Sequence, residues 1–287
     1  MQITRFLYKI LPEKWFIKIR KIYRTRQNRK YEPLSYNELK DILINTLKLQ
    51  KGDHVLIHSS MDFLKTTCNP LEILNLLLEI VGKEGTLLFP CWHSTKRAEE
   101  LLEANTVFDV KKSPSVMGML SELARRHPEA KRSLHPTNSI VAIGSKADYF
   151  VNTHHNDIYP CGTESPFYKL VVSNGKTIGI GVDATFMSFI HCPEDVLKSE
   201  FPFKTRNDKI YDATVIGYNS EEMKVKTLVA SKNISNFDIR KFVNTNIEPE
   251  ICQNITIKSN RFFRADCKPL FDKLVELSKQ NVTIYNQ

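Results

Sequence analysis

Apolar positions along this chain change their spacing several times, and each change marks an element. From Leu39 through Ile42, Leu43 and Leu47 they recur at helical intervals behind Ser35-x-x-Glu38, a capping-box signature, which predicts a helix over residues 36–49. The run His54-Val-Leu-Ile-His58 predicts a short buried strand; Asn69-Pro70 opens an apolar helix that Gly82 closes, and Thr86-Leu-Leu-Phe-Pro90 predicts a second strand. Strand, loop, helix, strand in that order implies a parallel βαβ unit with a right-handed crossover. Helices over 115–126 and 165–172 then alternate with strands over 139–143 and 177–181, so the fold class is α/β. Between residues 209 and 230 the pattern becomes a polar hairpin, 210–216 and 223–229 flanking a turn at Tyr218-Asn219-Ser220, which predicts an antiparallel β excursion. Helices near 236–245 and 267–279 and a strand near 253–259 complete the chain.

Charge changes the picture at one end only. Residues 1–30 hold ten basic residues and one acid, so they carry the whole net charge of +9 and the remaining 257 residues are neutral. In residues 3–23, Ile3, Phe6, Leu7, Ile10 and Leu11, then Phe16, Ile19, Ile22 and Tyr23, recur at helical spacing among Lys and Arg, with Pro12 between the two sets. The sequence therefore divides into a basic amphipathic arm (1–32) and one domain (33–287). The arm fits an anionic membrane surface, where each cation contributes about 1 kcal/mol, and equally a helix packed on the body or on a sister subunit. Loss of sedimentation with anionic liposomes on deleting residues 1–30 is expected of the first reading.

No run approaches the roughly 18 apolar residues of a membrane span, and the six cysteines lie far apart with no C-x-x-C pair. A cytoplasmic location is expected, peripheral at the inner face of the membrane if the arm binds lipid. Eight histidines raise the question of a metal, but there is no H-E-x-x-H and no paired ligand spacing, so none is expected. Nothing in the neutral body points to nucleic acid. The segment His58-Ser-Ser-Met-Asp-Phe-Leu-Lys65 leaves a strand for a helix, where open α/β sheets place ligands and where hydroxyls and backbone N–H groups cradle phosphates. Ordinary turns produce the same pattern. Cys192 beside His191 reads as a small apolar residue rather than a nucleophile.

The order of the fragments is more specific. His58-Ser-Ser, Gly85-Thr-Leu-Leu-Phe-Pro90, Phe108-Asp109, Ser113-Pro-Ser-x-Met-Gly118, Arg132-Ser-Leu-His-Pro136 with Ser139, Gly162 before Ser165-Pro166, Gly179-x-Gly-Val182 and His191-x-x-Glu194 occur in succession. Together, over roughly residues 36–280, they make the chain resemble the aminoglycoside 3-N-acetyltransferase family. The resemblance implies α/β/α layers around a mixed, largely parallel sheet, acetyl-CoA or another acyl-CoA as cosubstrate, and direct transfer to an amine. It also implies that His58, Ser59 and Ser60 contact the cofactor phosphates, that Ser115 lines the pantetheine path, that His191 is the general base, and that His135 and Asp109 are polar groups of the same cleft.

That chemistry suits histidine. An amine attacks a thioester only as the free base, and a group that titrates near neutral pH is needed to take its proton. Either Glu194 or Asp109 is suited to orient the ring; Pro193 disfavours helical geometry before it and so makes Asp109 a rival to Glu194. For the acceptor, a neutral body and a basic arm favour a nucleotide-linked amino sugar of surface-polysaccharide assembly over a polycationic aminoglycoside, which calls for an acidic cleft. The aminoglycoside is the alternative, and a catalytically inactive, membrane-associated assembly factor is a third reading.

Overall fold

Adjacent residues of one strand serve two different cores in this protein, and the layered architecture follows from that alternation. In the computed structural model, residues 31–285 are described except for 232, 233, 235 and 236; the basic arm, but for residues 31 and 32, lies outside them. On β1 (His54–Ser59), Val55 and Ile57 join one buried cluster while Leu56 joins the other. On β2 (Thr86–Pro90), Leu87 and Phe89 face the first cluster and Leu88 the second. A strand with a period of two, apolar on both faces, is covered on both faces.

The first cluster is closed by α1 (Tyr36–Asp41) with the π-helical turn Ile42–Thr46, and by α2 (Pro70–Val81). Both helices start at the capping boxes that their sequences spell: Ser35 and Glu38 exchange hydrogen bonds, and so do Asn69 and Glu72. Helix α2 buries Ile73, Leu74, Leu76, Leu77, Ile80 and Val81, each worth about 1.5–3 kcal/mol of transfer free energy.

The main sheet has seven strands. After β3 (Phe108–Asp109), which belongs elsewhere, come β4 (Lys131–Arg132), β5 (Ile140–Gly144) and β6 (Lys176–Ile180). The hairpin β7 (Tyr211–Ile216) and β8 (Glu222–Thr227) precedes β9 (Cys252–Ile257) and β10 (Asn260–Asp266). The sheet order is β4-β5-β2-β1-β6-β10-β9. Its centre, β2-β1-β6, is parallel, and the flanking pairs are antiparallel. The α/β/α layers and the mixed sheet are as the resemblance implies. The antiparallel excursion is a separate three-stranded sheet, β3-β7-β8, in which β7 and β8 form the expected hairpin.

Four helices were not anticipated or start later than their patterns suggest. Helix α3 (Ala98–Glu103) and α5 (Ala147–Val151) are new. Helix α4 (Met119–Arg125) starts after Gly118, whose φ of 103° breaks the run expected from residue 115. After α6 (Pro166–Val172) and α7 (Cys192–Leu197), α8 (Ile239–Asn246) starts at Asp238, whose side chain accepts from Lys241 N–H. Helix α9 (Cys267–Lys279) ends the fold, and no helix among the described residues is long and apolar enough to cross a membrane.

What this arrangement positions is an edge. The carboxyl ends of β1, β2 and β6 lie side by side, because the three strands are parallel neighbours. Ser60 N–H donates to Ile180 O at 3.0 Å, and a Cβ on Gly181 (φ 75°) would meet Ser60 O at 2.5 Å, so the turns after β1 and β6 touch through their backbones. Open α/β sheets bind ligands in the crevice at this edge.

Candidate active site

His191 reaches that edge on a 3₁₀ turn, Ser188–His191, which runs directly into α7. Pro193 sits in the first turn of the helix, where its missing N–H is not needed. Cys192, the residue that proline constrains, adopts helical angles (φ −63°, ψ −46°), so the expected disruption does not occur. His191 Nδ1 and Glu194 Oε1 are 2.9 Å apart, with side chains 27% and 3% exposed. A carboxylate only accepts, so Nδ1 carries the proton. Nε2 then holds the lone pair and, among the described residues, makes no hydrogen bond.

A third group joins them, and sequence reasoning missed it. Tyr285, from the segment after α9, donates its hydroxyl to Glu194 Oε1 at 2.7 Å and lies 3.3 Å from His191 Nδ1. Its ring stacks on Phe203 (centroids 4.8 Å) and meets Phe237 edge-on (5.4 Å), while Phe237 also stands edge-on to His191 (5.9 Å). Burial, then the Glu194 charge, pushes the Tyr285 phenol above its usual range, so it remains a donor. No local spacing announces a contact that spans 91 residues of chain.

Below this group, Asp195 is buried beside the carboxylate that holds His191. Arg206 clamps it in two hydrogen bonds of 2.7 and 2.6 Å, and Cys161 N–H donates to the same carboxylate at 2.8 Å. Arg206 also pairs by backbone with Ala230, so the ion pair ties α7 to the chain that brackets the hairpin. Cys192 is buried, and burial pushes its thiol well above the ordinary value, which leaves no thiolate for nucleophilic attack.

The cleft around His191 and Glu194 has a volume of about 380 Å³. Trp92 and His93 enter it from the end of β2, Thr137 and Asn138 from the loop before β5, and Leu228 to Ala230 from the end of β8. Lys96 and Arg97 are exposed in its lining and form no ion pair among the described residues.

The other residues anticipated from sequence take different places. Asp109 is not the partner of His191: its Oδ1 accepts from Lys111 and Lys112 N–H, both at 2.9 Å, and closes a turn after β3 outside the cleft. His135 lies behind the wall rather than in it, stacked on His154 with centroids 4.6 Å apart. Burial, with His154, Arg206 and His155 nearby, keeps its pKa far below the ordinary value. The neutral ring accepts Asn138 N–H at Nδ1 (3.1 Å) and bonds Thr227 Oγ1 at Nε2 (3.3 Å). It therefore holds the lining residue Asn138 by its backbone.

His58 is buried against Phe263 and its pKa is pushed down to about 3 by burial, so it offers no positive charge to a phosphate. Ser59 and Ser60 are half-buried at the end of β1, and Gly118 of the Ser115 loop lies against them, 3.7 Å separating its would-be Cβ from Ser59 O. Ser115 accepts Met117 N–H at its hydroxyl. None of these four residues lines the cleft. Among the described residues no group of three or more His, Cys, Asp or Glu is arranged to hold a metal ion.

The sequence profile of the family described as aminoglycoside 3-N-acetyltransferase matches residues 56–279. The chain is 28% identical over 168 residues to the SPbeta prophage-derived aminoglycoside N(3')-acetyltransferase-like protein YokD of Bacillus subtilis (strain 168), a match covering 53% of this chain and 61% of that protein. It is 28% identical over 179 residues to aminoglycoside N(3)-acetyltransferase IX of Micromonospora chalcea, covering 56% and 62%. The chain thus spans under two thirds of the length of these two relatives. The crystal structure of aminoglycoside acetyltransferase AAC(3)-Xa superimposes with a TM-score of 0.74 at 23% identity, over 92% of this chain and 99% of that one. The structure of AAC-IIIb with CoASH superimposes with a TM-score of 0.69 at 20% identity, over 86% and 97%. At these identities the structures establish the shared fold.

The relatives correct the expected acceptor. The expectation of a nucleotide-linked amino sugar for surface polysaccharide is overturned: the named relatives are aminoglycoside N-acetyltransferases or are described as like them, which matches the alternative reading better. The reasoning from charge failed because net charge averages over the whole body, whereas recognition depends on the few groups that face the ligand.

Proposed function

Because the chain belongs to the aminoglycoside 3-N-acetyltransferase family, whose profile spans most of its length, we propose that it transfers an acetyl group from acetyl-CoA to an amine of an aminoglycoside. The observation that carries this reading is the His191–Glu194 pair at 2.9 Å in a ligand-sized cleft. Nε2 takes the proton of the acceptor ammonium. The freed lone pair attacks the thioester carbonyl carbon, a C–N bond forms, and the carbonyl electrons move to oxygen. When the carbonyl reforms, the C–S bond breaks and the thiolate leaves, to be protonated by the imidazolium, while the nitrogen gives up its second proton to water and becomes the neutral amide. Glu194 steadies the charged ring throughout without itself being protonated.

Ser59, Ser60 and Ser115 are the residues suited to the cofactor, since their loops meet at the carboxyl edge of β1. They stand outside the cleft, so the pantetheine arm has to carry the thioester from that edge to His191. The intact pair with an Nε2 free to accept a proton favours an enzyme over an inactive assembly factor. Mass spectrometry of the products from acetyl-CoA and a panel of aminoglycosides tests the reading: a gain of one acetyl group is expected, and an unmodified panel overturns it. His191→Asn should lower kcat by at least about 10²-fold with CoA affinity unchanged.

A further inference from the structure

Arg132, on β4, is 3% exposed, yet every hydrogen-bond partner of its guanidinium among the described residues is neutral. Nη1 donates to Ser113 O at 2.5 Å and to Val110 O at 3.5 Å, Nη2 donates to Cys91 O, and Nε donates to Ser139 Oγ at 3.3 Å. The group also lies over the Phe108 ring, 4.7 Å from its centroid. A buried charge without a counter-ion is costly to keep, and an apolar side chain would fill the same space without that penalty. What the charge provides is a fork of donors aimed at two stretches of backbone. Cys91 leads into Trp92 and His93, which line the cleft, whereas Val110 and Ser113 belong to the loop between β3 and α4 that brings Gly118 against Ser59. The same two stretches meet again where Val116 N–H donates to Trp92 O at 2.8 Å. Between these ties and Gly118, Glu122 of α4 pins the loop by accepting Ser115 N–H at 2.8 Å.

We propose that Arg132 is a positioning residue for acyl transfer: its guanidinium fixes the loop of residues 110–118 against the end of β2, and so fixes where the thioester arrives relative to His191. This rests on the N-acetyltransferase reading and on the cofactor lying along Ser59, Ser60 and Ser115. Arg132 is not part of the cleft lining, so it acts through the two stretches it holds. A guanidinium carries five N–H donors in a rigid plane, which sets acceptors from separate stretches at one spacing. A lysine ammonium has three donors on one atom and no plane to impose. Ser139 does not replace the fork, since its single hydroxyl hydrogen is given to Cys91 O at 2.6 Å. Transfer between two bound substrates depends on such spacing, and a misplacement of about 1 Å lowers the rate by about 10²-fold.

Arg132→Lys, which keeps the charge, and Arg132→Met, which keeps an unbranched stem without it, test the proposal. With the loop loosened by about one cofactor hydrogen bond, both should raise the calorimetric Kd of acetyl-CoA by about 2- to 12-fold. Both should also lower kcat with sisomicin, at saturating acetyl-CoA, by about 10- to 100-fold. A merely structural role lowers Tm and the folded fraction but leaves the Kd of the folded protein as in the wild type, and that result overturns the proposal. Wild-type values for Arg132→Lys beside a defective Arg132→Met assign the effect to charge instead of position, and also overturn it. If neither variant folds, Val116→Pro decides: from an exposed position it deletes the N–H that ties the loop to Trp92 O, and it should raise the same Kd. An unchanged Kd in Val116→Pro overturns the proposal. Absence of acetyl transfer by the wild type to any aminoglycoside overturns the acceptor of the preceding section instead, and the acetyl-CoA Kd still decides the part played by Arg132.

Discussion

Tyr285→Phe deletes one hydroxyl and leaves the stack on Phe203 and the edge contact with Phe237 in place. That hydroxyl and His191 Nδ1 both give their hydrogen to Glu194 Oε1, at 2.7 and 2.9 Å. One oxygen divides its charge between two donors, so removing the tyrosine donor concentrates the charge on the histidine. A hydrogen bond to a charged group is worth about 1.5–3 kcal/mol, and about 1.4 kcal/mol corresponds to one pH unit. If roughly half of that interaction passes to the imidazolium, the acid limb of kcat/KM moves up by about 0.5–1 pH unit.

The sign is fixed by the mechanism: the reaction needs the neutral ring, and a more strongly held imidazolium keeps its proton to higher pH. The variant should therefore lose more rate than the wild type at the acid end of the profile and recover as the pH rises. The other charged and titratable groups around His191, namely the Arg206–Asp195 pair beneath and His93, Lys96 and Arg97 in the cleft lining, are the same in both proteins. Thiol release from acetyl-CoA, followed across the neutral range, reads the limb directly. An acid limb at the wild-type position, or one moved to lower pH, would refute the shared-oxygen argument, because loss of a merely structural contact lowers the rate at every pH alike.

Three further outcomes are expected. Asp195→Asn leaves Arg206 charged and without its ion-pair partner, which should lower stability by about 3–5 kcal/mol, measured by denaturant unfolding. Burial holds His58 and His154 at about 3, and burial with Arg132 holds His93 at about 4. These folded values are depressed, so below the unfolded value near 6.5 the unfolded chain binds more protons than the native one. Each such histidine should then cost up to about 1.4 kcal/mol of stability per pH unit until its folded value is reached, and His58→Asn should flatten the slope seen in unfolding titrations between pH 6 and 4. Lys96 and Arg97 oppose a polycation at the cleft, so the double change Lys96→Glu and Arg97→Glu should raise kcat/KM for highly charged aminoglycosides by about tenfold at low salt, with the gain shrinking as salt is added.

Local signals were the legible ones. Ser35-x-x-Glu38 and Asn69-Pro70 mark two helix starts locally, and a capping box forms at each. Strand β10 escaped because Arg261 and Arg264 interrupt its apolar pattern, yet buried Arg264 is satisfied by the carbonyls of Pro249 and Glu250. The turn before it, Lys258-Ser259, takes positive φ at both residues (45° and 68°) without the glycine or asparagine that usually marks such a hairpin. At the site, the i,i+3 relation of His191 to Glu194 was readable, and the reason given to doubt it was not sound: proline's constraint falls on Cys192, and helix packing overrides it. Tyr285, and the clamp of Arg206 on Asp195, depend on tertiary closure and have no signature in spacing.

The cleft is walled by two parts of the chain that are built separately. His191, Glu194 and Trp92 stand on the main sheet's edge, whereas Ala98 and Val229 come from the small cluster that packs α3 against the hairpin, joined to the body through Arg206 and Asp195. Substitutions in that insert can therefore drift, and reshape what the enzyme accepts, without disturbing the proton-handling side. A lineage exposed to a succession of different amines would be expected to record that history in residues 96–103 and 207–230, while the opposite wall stays comparatively still.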